Sequence, residues 1–223
     1  MKDHSRIISI DGPAGSGKTT VSKSLAAALG NSGCISSGLI YRMIAHDALY
    51  GKILASLGGS ENALAQMMNM NGWSLLDTME IVGKNDSKNI TSDFYGEVCD
   101  KKSSEIAKGK KNRFLVSGFI KNLITCDGWC DYDYIIIEGR DIGSVVFPDA
   151  GWKVYLDASL EQRVERRNLE IRGAGDGILE RDNKDKTRKN NPLVVPDGAF
   201  CIDSTLLEVR EVVSLICNYV EKS

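Results

Sequence analysis

Glycine and lysine residues near the amino terminus are spaced as a phosphate-binding loop requires. The pattern G-x-x-x-x-G-K-[ST] is complete in the run Gly12-Pro13-Ala14-Gly15-Ser16-Gly17-Lys18-Thr19, which Thr20 follows. Glycines at these positions let backbone N–H groups surround a phosphate, and the helix that follows adds the positive end of its dipole. Lys18 should reach the β and γ phosphate oxygens, and the Thr19 hydroxyl can ligate Mg²⁺. The run therefore predicts a nucleoside triphosphate site from Gly12 to Thr20.

Two absent features argue against a GTPase. A GTPase needs an N/T-K-x-D motif to read guanine, and the nearest approach, Asn183 to Lys186, fails at its last position. A D-x-x-G sequence, which a GTPase switch would also need, occurs at Asp93 to Gly96, but it lies in a polar insertion away from any predicted buried strand. A GTPase switch is therefore disfavoured.

The distribution of arginine favours a kinase. The arginines that lie near motifs or in one late segment are Arg42, Arg113, Arg140, Arg163, Arg166, Arg167, Arg172, Arg181 and Arg188. Transfer between two phosphates gathers negative charge, and guanidinium groups bind that charge bidentately without losing their proton. Charge runs usually face water, so a solvated helix is an alternative for single arginines of the late segment. For Arg42, Arg140 and Arg181 the neighbouring motifs favour a binding role.

Apolar runs predict the strands that must position these groups. Ile7–Ile10, Tyr134–Ile137 and Trp152–Leu156 have the composition of buried parallel strands. A helix is expected to begin at Lys18 and to end at a left-handed cap at Gly30. The charged residues that follow the later strands are Glu138, Arg140, Asp141 and Asp157. These side chains should lie at the carboxyl edge of the sheet, where open α/β folds bind ligands.

The last third of the chain predicts two further helices and a strand. Ser159 and Gln162 have the spacing of a capping box, which predicts a helix through the late arginines. A strand is expected near Ala199–Ile202, and Asp203-Ser204 then forms a suitable N-cap for a closing helix with an apolar face.

The middle of the chain, from about Gly58 to Gly96, is rich in Asn, Gly, Ser and Met and is interpreted as an insertion in the core. Its periodicity predicts a helix over Glu61–Met70. It also predicts paired strands over Ser74–Val82 and Asn89–Tyr95, joined across the turn-like sequence GKND.

Composition limits the classes of protein and partner. The 223 residues are 42% hydrophobic and 26% charged, which suits one α/β domain with insertions. The net charge of -2 gives no reason to expect a nucleic-acid or membrane partner, and no window approaches the roughly 18 apolar residues of a membrane helix. Six cysteines without C-x-x-C spacing favour reduced thiols, and with only two histidines we expect no structural metal site. We therefore expect a cytoplasmic protein.

The chain resembles the bacterial-type cytidylate kinases over nearly its whole length. The matching motifs are IDGPAGSGKTT at the start, SSGLIYR at 36–42, EGRDIGSVVFPDA at 138–150, VYLDAS at 154–159, RDNKDKTR at 181–188 and PLVVPDGAFCIDST at 192–205. The block GRDIG-x-VVFPDA is specific to that family among nucleotide kinases. The resemblance implies a P-loop NTPase core of three α/β/α layers with a parallel sheet. It also implies ATP as donor, CMP or dCMP as acceptor and Mg²⁺ as cofactor.

The same resemblance implies roles for individual residues. The acceptor's α-phosphate would be held by Ser37, Tyr41, Arg42 and Arg140. Asp141 would accept from the exocyclic amine of cytosine, and Ser104 and Arg113 would read other polar atoms of the ring. The late set would be Arg181, Asp185 and Arg188, with Asp185 on the ribose. Catalysis would depend on Lys18, Arg140, Arg181 and Arg188, while Glu138 either holds Mg²⁺ through water or makes a structural hydrogen bond.

The expected organisation is one domain with three parts. These are a core of about 1–37, 130–163 and 190–223, an acceptor-binding part of about 38–129 and a lid of about 164–189. A monomer with small-molecule substrates is expected. Two alternatives stay open: a kinase that prefers UMP or another acceptor, and a nucleotide-binding regulatory module that has lost phosphoryl transfer.

Overall fold

Strands and helices alternate along the chain as in an α/β protein. The computed structural model describes residues 4–51, 53–56, 62–71, 73–75, 81–83, 89–126, 128–170 and 177–222. The strands are β1 (Ile7–Asp11), β2 (Ser32–Ser36), β3 (Trp73–Leu75), β4 (Ile81–Gly83), β5 (Tyr134–Gly139), β6 (Trp152–Asp157) and β7 (Phe200–Asp203). The α-helices are α1 (Lys18–Leu29), α2 (Ser37–His46), α3 (Ile53–Ser56), α4 (Ala63–Met70), α5 (Glu97–Ile106), α6 (Lys110–Leu123), α7 (Leu160–Glu170), α8 (Ile178–Thr187) and α9 (Val209–Glu221). Short π-helical segments lie at Asp47–Gly51 and Ile142–Val146, and a 3₁₀ turn lies at Thr91–Phe94.

The chain divides into two compact units. The first unit is Met1–Cys34 with Tyr132–Ser223, and the second unit is Ile35–Asp131.

A five-stranded parallel sheet in the order β2-β5-β1-β6-β7 organises the first unit. Every residue of β1 is buried, because β1 pairs in parallel with β5 on one side and with β6 on the other. The register sets Asp11 opposite Gly139 and opposite Tyr155. The strands predicted at residues 7–10, 134–137 and 152–156 are therefore confirmed, each reaching one or two residues further. Because β1 lies between strands that come later in the chain, its carboxyl end is the switch point at which such sheets bind ligands.

Helices α1 and α9 pack against each other in the first unit. Gly30 ends α1 with a φ of 83° and a ψ of -115° and donates its N–H to the Ala26 carbonyl at 3.2 Å. A glycine with positive φ therefore caps the helix as predicted, but the predicted left-handed conformation was wrong, because ψ is far from the positive values of that region. Helix α9 buries one apolar face, which consists of Val212, Val213, Ile216 and Val220.

The predicted N-cap of α9 at Asp203-Ser204 was wrong. The helix begins at Val209, and a reciprocal capping box of Glu208 and Glu211 closes its first turn. The Ser204 hydroxyl is used elsewhere: it donates to the Asp157 carbonyl at 3.0 Å and accepts from Arg166 at 2.9 Å.

The second unit is largely helical, with a core that includes Ile40, Met43, Leu64, Met67 and Phe94. The predicted pairing of Ser74–Val82 with Asn89–Tyr95 was wrong, because β3 pairs antiparallel with β4 inside the first of these segments. Thr91–Phe94 forms a 3₁₀ turn instead of a strand, and the Asn89 side chain accepts from the Thr91 N–H at 2.9 Å. Such a local bond offers the backbone an alternative to a strand ladder. Helix α4 agrees with the helix predicted there, although Glu61 lies outside the described residues.

We expect Gly12→Ala to destabilise the protein far more than Gly30→Ala. A Cβ at Gly12 would lie 2.0 Å from the Leu156 carbonyl oxygen of β6, whereas a Cβ at Gly30 would meet nothing within 4 Å. Gly30→Ala should cost about 1 kcal/mol of unfolding free energy, the strain of an alanine held at positive φ. Gly12→Ala should cost about 3 kcal/mol, since backbone must move. Urea denaturation of both variants measures the difference, and equal losses would contradict the close approach of the loop to β6.

Candidate functional site

The phosphate-binding loop joins β1 to α1, and its lysine is held internally. Lys18 Nζ donates to the Pro13 carbonyl at 2.6 Å and to Ser16 Oγ at 3.2 Å, and Lys18 is only 5% exposed. Gly15 and Gly17 have φ values of 74° and 87°, which only glycine adopts without strain. Burial, reinforced by the nearby Arg140, lowers the pKa of Lys18 to about 7. The loop is thus folded around its own lysine.

The two residues expected to hold a metal ion are hydrogen-bonded to each other. Thr19 Oγ1 donates to Glu138 Oε1 at 2.8 Å, and Glu138 is buried at the end of β5. Hydroxyl and carboxylate oxygens are the ligands that Mg²⁺ prefers, and Mg²⁺ takes one or two protein ligands together with substrate phosphates. This pair fits such an ion. Across the described ranges, no group of three or more His, Cys, Asp or Glu side chains could hold a metal.

Asp11, which the sequence reasoning did not single out, holds the turn after β5. Its carboxylate accepts the N–H of Ile142 at 2.8 Å and that of Gly143 at 2.7 Å. Burial raises its pKa to about 6, against the lowering effect of these two bonds. The turn that begins with Arg140 and Asp141 is thereby fixed to the strand that leads into the phosphate loop.

Helix α8 brings its charged side chains to the same turn. Arg140 Nε donates to Asp185 Oδ2 at 3.0 Å, and Arg188 Nη1 donates to Asp185 Oδ1 at 3.2 Å. Burial opposes ionisation of Asp185, but Arg140, Arg181 and Arg188 outweigh it and hold the pKa of this carboxyl below its usual value. Arg188 Nη2 also lies 3.8 Å from Asp141 Oδ1. The charges expected to bind nucleotide are therefore brought together.

A buried ion pair holds one residue of the phosphate loop, Ala14, in place. The Asp182 carboxylate accepts the Ala14 N–H at 3.1 Å and pairs with Arg163, while Arg163 Nη1 donates to the Ala14 carbonyl at 3.0 Å. Arg163 Nε also donates to the Ala158 carbonyl at 3.0 Å. Arg163 and Asp182 are 7% and 3% exposed. Both polar groups of Ala14 are therefore held by side chains from α7 and α8.

The late arginines thus divide by role. Arg163 and Arg166 make structural bonds, the latter to Ser204 Oγ and to the Ser204 carbonyl at 2.6 Å. Arg172 lies outside the described residues. No local signal distinguishes Arg163 from Arg181, because the Ala14 peptide that selects Arg163 is 149 residues away.

In the second unit, Ser37 opens α2 and Tyr41 and Arg42 follow on the same helix. Arg42 is buried, forms an ion pair with Asp100 at 2.6 Å and lies 4.7 Å from the centre of the Tyr95 ring. Ser36, directly before α2, caps it by accepting the Leu39 N–H at 3.2 Å.

The two residues expected to read the base ring lie on successive helices of this unit. Ser104 is on α5, and Arg113 is on α6 with its guanidinium 6.0 Å from the centre of the Tyr41 ring. Arg113 Nε donates to the Ala107 carbonyl at 2.7 Å. Arg113 is thus bonded to the carboxyl end of α5, and its guanidinium also lies near Tyr41 of α2, an expected phosphate ligand.

The chain is similar to the proteins of one enzyme family. A family model described as cytidylate kinase matches residues 8–222. A cytidylate kinase of Caldanaerobacter subterraneus subsp. tengcongensis is 35% identical over 97% of this chain and 95% of that protein. One of Shewanella baltica is 30% identical over 100% of this chain and 97% of that protein. The crystal structure of an uncharacterized protein from Eubacterium ventriosum superposes with a TM-score of 0.52 at 14% identity, covering 97% of this chain and 99% of that one, which shows the fold alone.

In the part of the chain that the structure describes, no helix is long and apolar enough to cross a membrane.

Binding of Mg-ATP should take up protons near neutral pH through Lys18. The pKa of Lys18 is about 7 in the free protein, so the amine is mostly neutral at pH 7.5. Phosphate oxygens raise an amine pKa, and we therefore expect uptake of about 0.5–0.8 proton per nucleotide. Calorimetry in two buffers of different ionisation enthalpy measures this uptake. Lys18→Arg is the matched control, since arginine is always protonated; equal uptake by both proteins would contradict the assignment.

Asp182→Asn should weaken both the fold and the hold on ATP. It leaves the buried Arg163 charge unpaired, which we expect to cost about 3 kcal/mol of unfolding free energy. The Ala14 peptide loses its charged partner, so KM for ATP should rise. Glu180→Gln, which removes a 71% exposed carboxylate of the same helix, should change stability by less than about 0.5 kcal/mol. Urea denaturation measures the free energy of unfolding, and initial rates measure KM for ATP. If Asp182→Asn changed neither quantity, the role of Asp182 in holding Ala14 would be refuted.

Proposed function

The chain belongs to the cytidylate kinase family, and we propose that it transfers the γ-phosphoryl group of ATP to CMP or dCMP, giving ADP and CDP or dCDP. The observation that carries this proposal is the bonding of Asp11 to the turn of Arg140 and Asp141. The strand that leads into a complete phosphate loop is thereby joined to the expected acceptor-binding turn.

The donor is proposed to bind the loop from Gly12 to Thr20. Phosphate oxygens would replace the Pro13 carbonyl and Ser16 hydroxyl as partners of Lys18, which holds those groups in the free protein. Thr19 and Glu138 would hold the divalent ion, which we propose is Mg²⁺; when bound, it neutralises charge on the transferring phosphoryl group. Asp182 and Arg163 keep the Ala14 peptide in place throughout.

The residues proposed to bind the acceptor are those that the family resemblance implies. Ser37, Tyr41, Arg42 and Arg140 would hold its α-phosphate, Asp141 would accept from the cytosine amine, and Ser104 and Arg113 would read the rest of the ring. Asp185 would bind the ribose. Asp141 discriminates against uracil, because a carboxylate cannot accept a hydrogen bond from a carbonyl.

The transfer itself needs no general base. An α-phosphate oxygen of the acceptor is already an oxyanion, and it forms the new P–O bond as the bond between the γ-phosphorus and the bridging oxygen of ATP breaks. Lys18, Arg140, Arg181 and Arg188 would stabilise the charge spread over the transferring group. A site that excludes water is required, since water would otherwise accept the phosphoryl group. We propose that residues 164–189 act as the lid, residues 38–129 as the acceptor-binding part and the rest as the core.

The experiment that tests this function measures ADP formation from Mg-ATP with CMP, dCMP, UMP, AMP and GMP in parallel. CMP and dCMP should be the best acceptors. Asp141→Ala should lower kcat/KM for CMP by about 10- to 100-fold, the value of a hydrogen bond to a charged group, and should remove the preference over UMP. Asp197→Ala, which removes an exposed carboxylate, is the control and should leave both unchanged.

Two outcomes would overturn the proposal. A preference for UMP or a purine nucleotide would indicate a kinase of other acceptor specificity. Failure of every monophosphate to stimulate ADP release would favour a nucleotide-binding regulatory module.

A further inference from the structure

Asn191 has an unusual backbone conformation beside the expected acceptor site. Its φ of 50° is the one positive value of a non-glycine residue among the described residues. Asparagine tolerates the left-handed region better than most residues, but a residue that precedes proline favours an extended conformation, and Pro192 follows here. Such conformations persist where the surrounding contacts require them.

The contacts that accompany this conformation involve two of the expected substrate ligands. The Asn191 side-chain Nδ2 donates to Asp141 Oδ2 at 2.8 Å, and the Asn191 carbonyl accepts from Arg188 Nε. Two residues later, the Leu193 N–H donates to the Asp185 carbonyl at 2.8 Å. Asn191 therefore joins Asp141, which follows β5, to the carboxyl end of α8.

The bond to Asp141 has a consequence for base recognition. Asp141 is 6% exposed, so its carboxylate orientation is set by protein groups rather than by bulk water. A donor that fixes Oδ2 also fixes the plane of the carboxylate, and hence the direction of Oδ1. Arg188 Nη2 lies 3.8 Å from Oδ1, and the backbone oxygen of Asn191 restrains the same guanidinium.

We propose that Asn191 is a positioning residue for acceptor recognition, which orients Asp141 toward the cytosine amine and Arg188 toward phosphate. This inference rests on the proposed function, because it assigns Asn191 to the carboxylate that reads the base. It extends the function to a residue outside the set proposed to contact substrate and outside the motifs that match the family.

Three substitutions separate the side chain from the backbone. Asn191→Gly removes the amide and keeps a residue that adopts positive φ freely. Asn191→Ala removes the amide and strains the backbone. Asn191→Asp keeps the size but replaces the donor with a second carboxylate facing Asp141.

The expected result is selective for the acceptor. Asn191→Gly should raise KM for CMP by about five- to tenfold and lower the preference for CMP over UMP, with KM for ATP unchanged. Asn191→Asp should be worse than glycine, because like charges repel. Asn190→Gly, the same change one position earlier, controls for chain flexibility and should match the wild type.

A double-mutant cycle tests whether Asn191 acts through Asp141. In an Asp141→Ala background, Asn191→Gly should raise KM for CMP no further, since the group that it positions is already absent. Full additivity would overturn the proposal.

The remaining outcomes are equally decisive. An unchanged KM for CMP in Asn191→Gly would refute the positioning role. A lowered KM would also refute it, because the Asn191 amide would then be a competitor that the cytosine amine displaces. If the wild type itself shows no preference for CMP, the proposed function fails first, which distinguishes that failure from failure of the inference.

Discussion

The first unit depends on one buried carboxylate at the end of its central strand. Asp11 must accept the Ile142 and Gly143 amides, because these buried N–H groups would otherwise lack partners at a sheet edge. Placing a carboxylate there costs solvation, and burial accordingly raises its pKa to about 6. The two hydrogen bonds partly offset that cost and fix the turn of Arg140 relative to the phosphate loop. The charged site at this edge of the sheet therefore depends on a buried carboxylate that holds the turn in place.

The charged side chains of the site are hydrogen-bonded to other groups of the protein. Lys18 bonds to its own loop, Glu138 holds the Thr19 hydroxyl, and Asp185 accepts from Arg140 and Arg188. Buried cations without partners would be strongly destabilising, so the folded protein must provide carboxylates and carbonyls where nucleotide phosphates are proposed to bind. Under the proposed function, nucleotide phosphates would replace the protein partners of Lys18, Arg140 and Arg188. The affinity for nucleotide would then be the difference between two similar electrostatic terms, which would favour ligands that carry several negative charges.

Signals within a few residues predicted the strands and the phosphate loop. The roles of several individual side chains depend instead on bonding partners that are far away in the sequence. Apolar runs identified β1, β5 and β6, and glycine spacing identified the loop, because both signals lie within a few residues. The role of Asp11 depends on amides 131 and 132 residues away, and that of Asp182 on an amide 168 residues away. The wrong N-cap at Ser204 has the same origin, since its hydroxyl is already bonded to the Asp157 carbonyl of another strand. Residue type indicated what these groups could do, but the fold determined their partners.

In the second unit, too, a buried cation is stabilised by contacts with other groups of the protein. Arg42 pairs with Asp100 and lies over the Tyr95 ring, so a carboxylate and an aromatic face together stabilise a nearly buried guanidinium. A lysine could not replace it, because the planar guanidinium contacts the ring and the carboxylate at once. If Arg42 binds the acceptor phosphate as proposed, a phosphate dianion would replace Asp100 as its partner while the contact with Tyr95 persists. The proposed role would then require the protein to hold one buried charge both with and without acceptor.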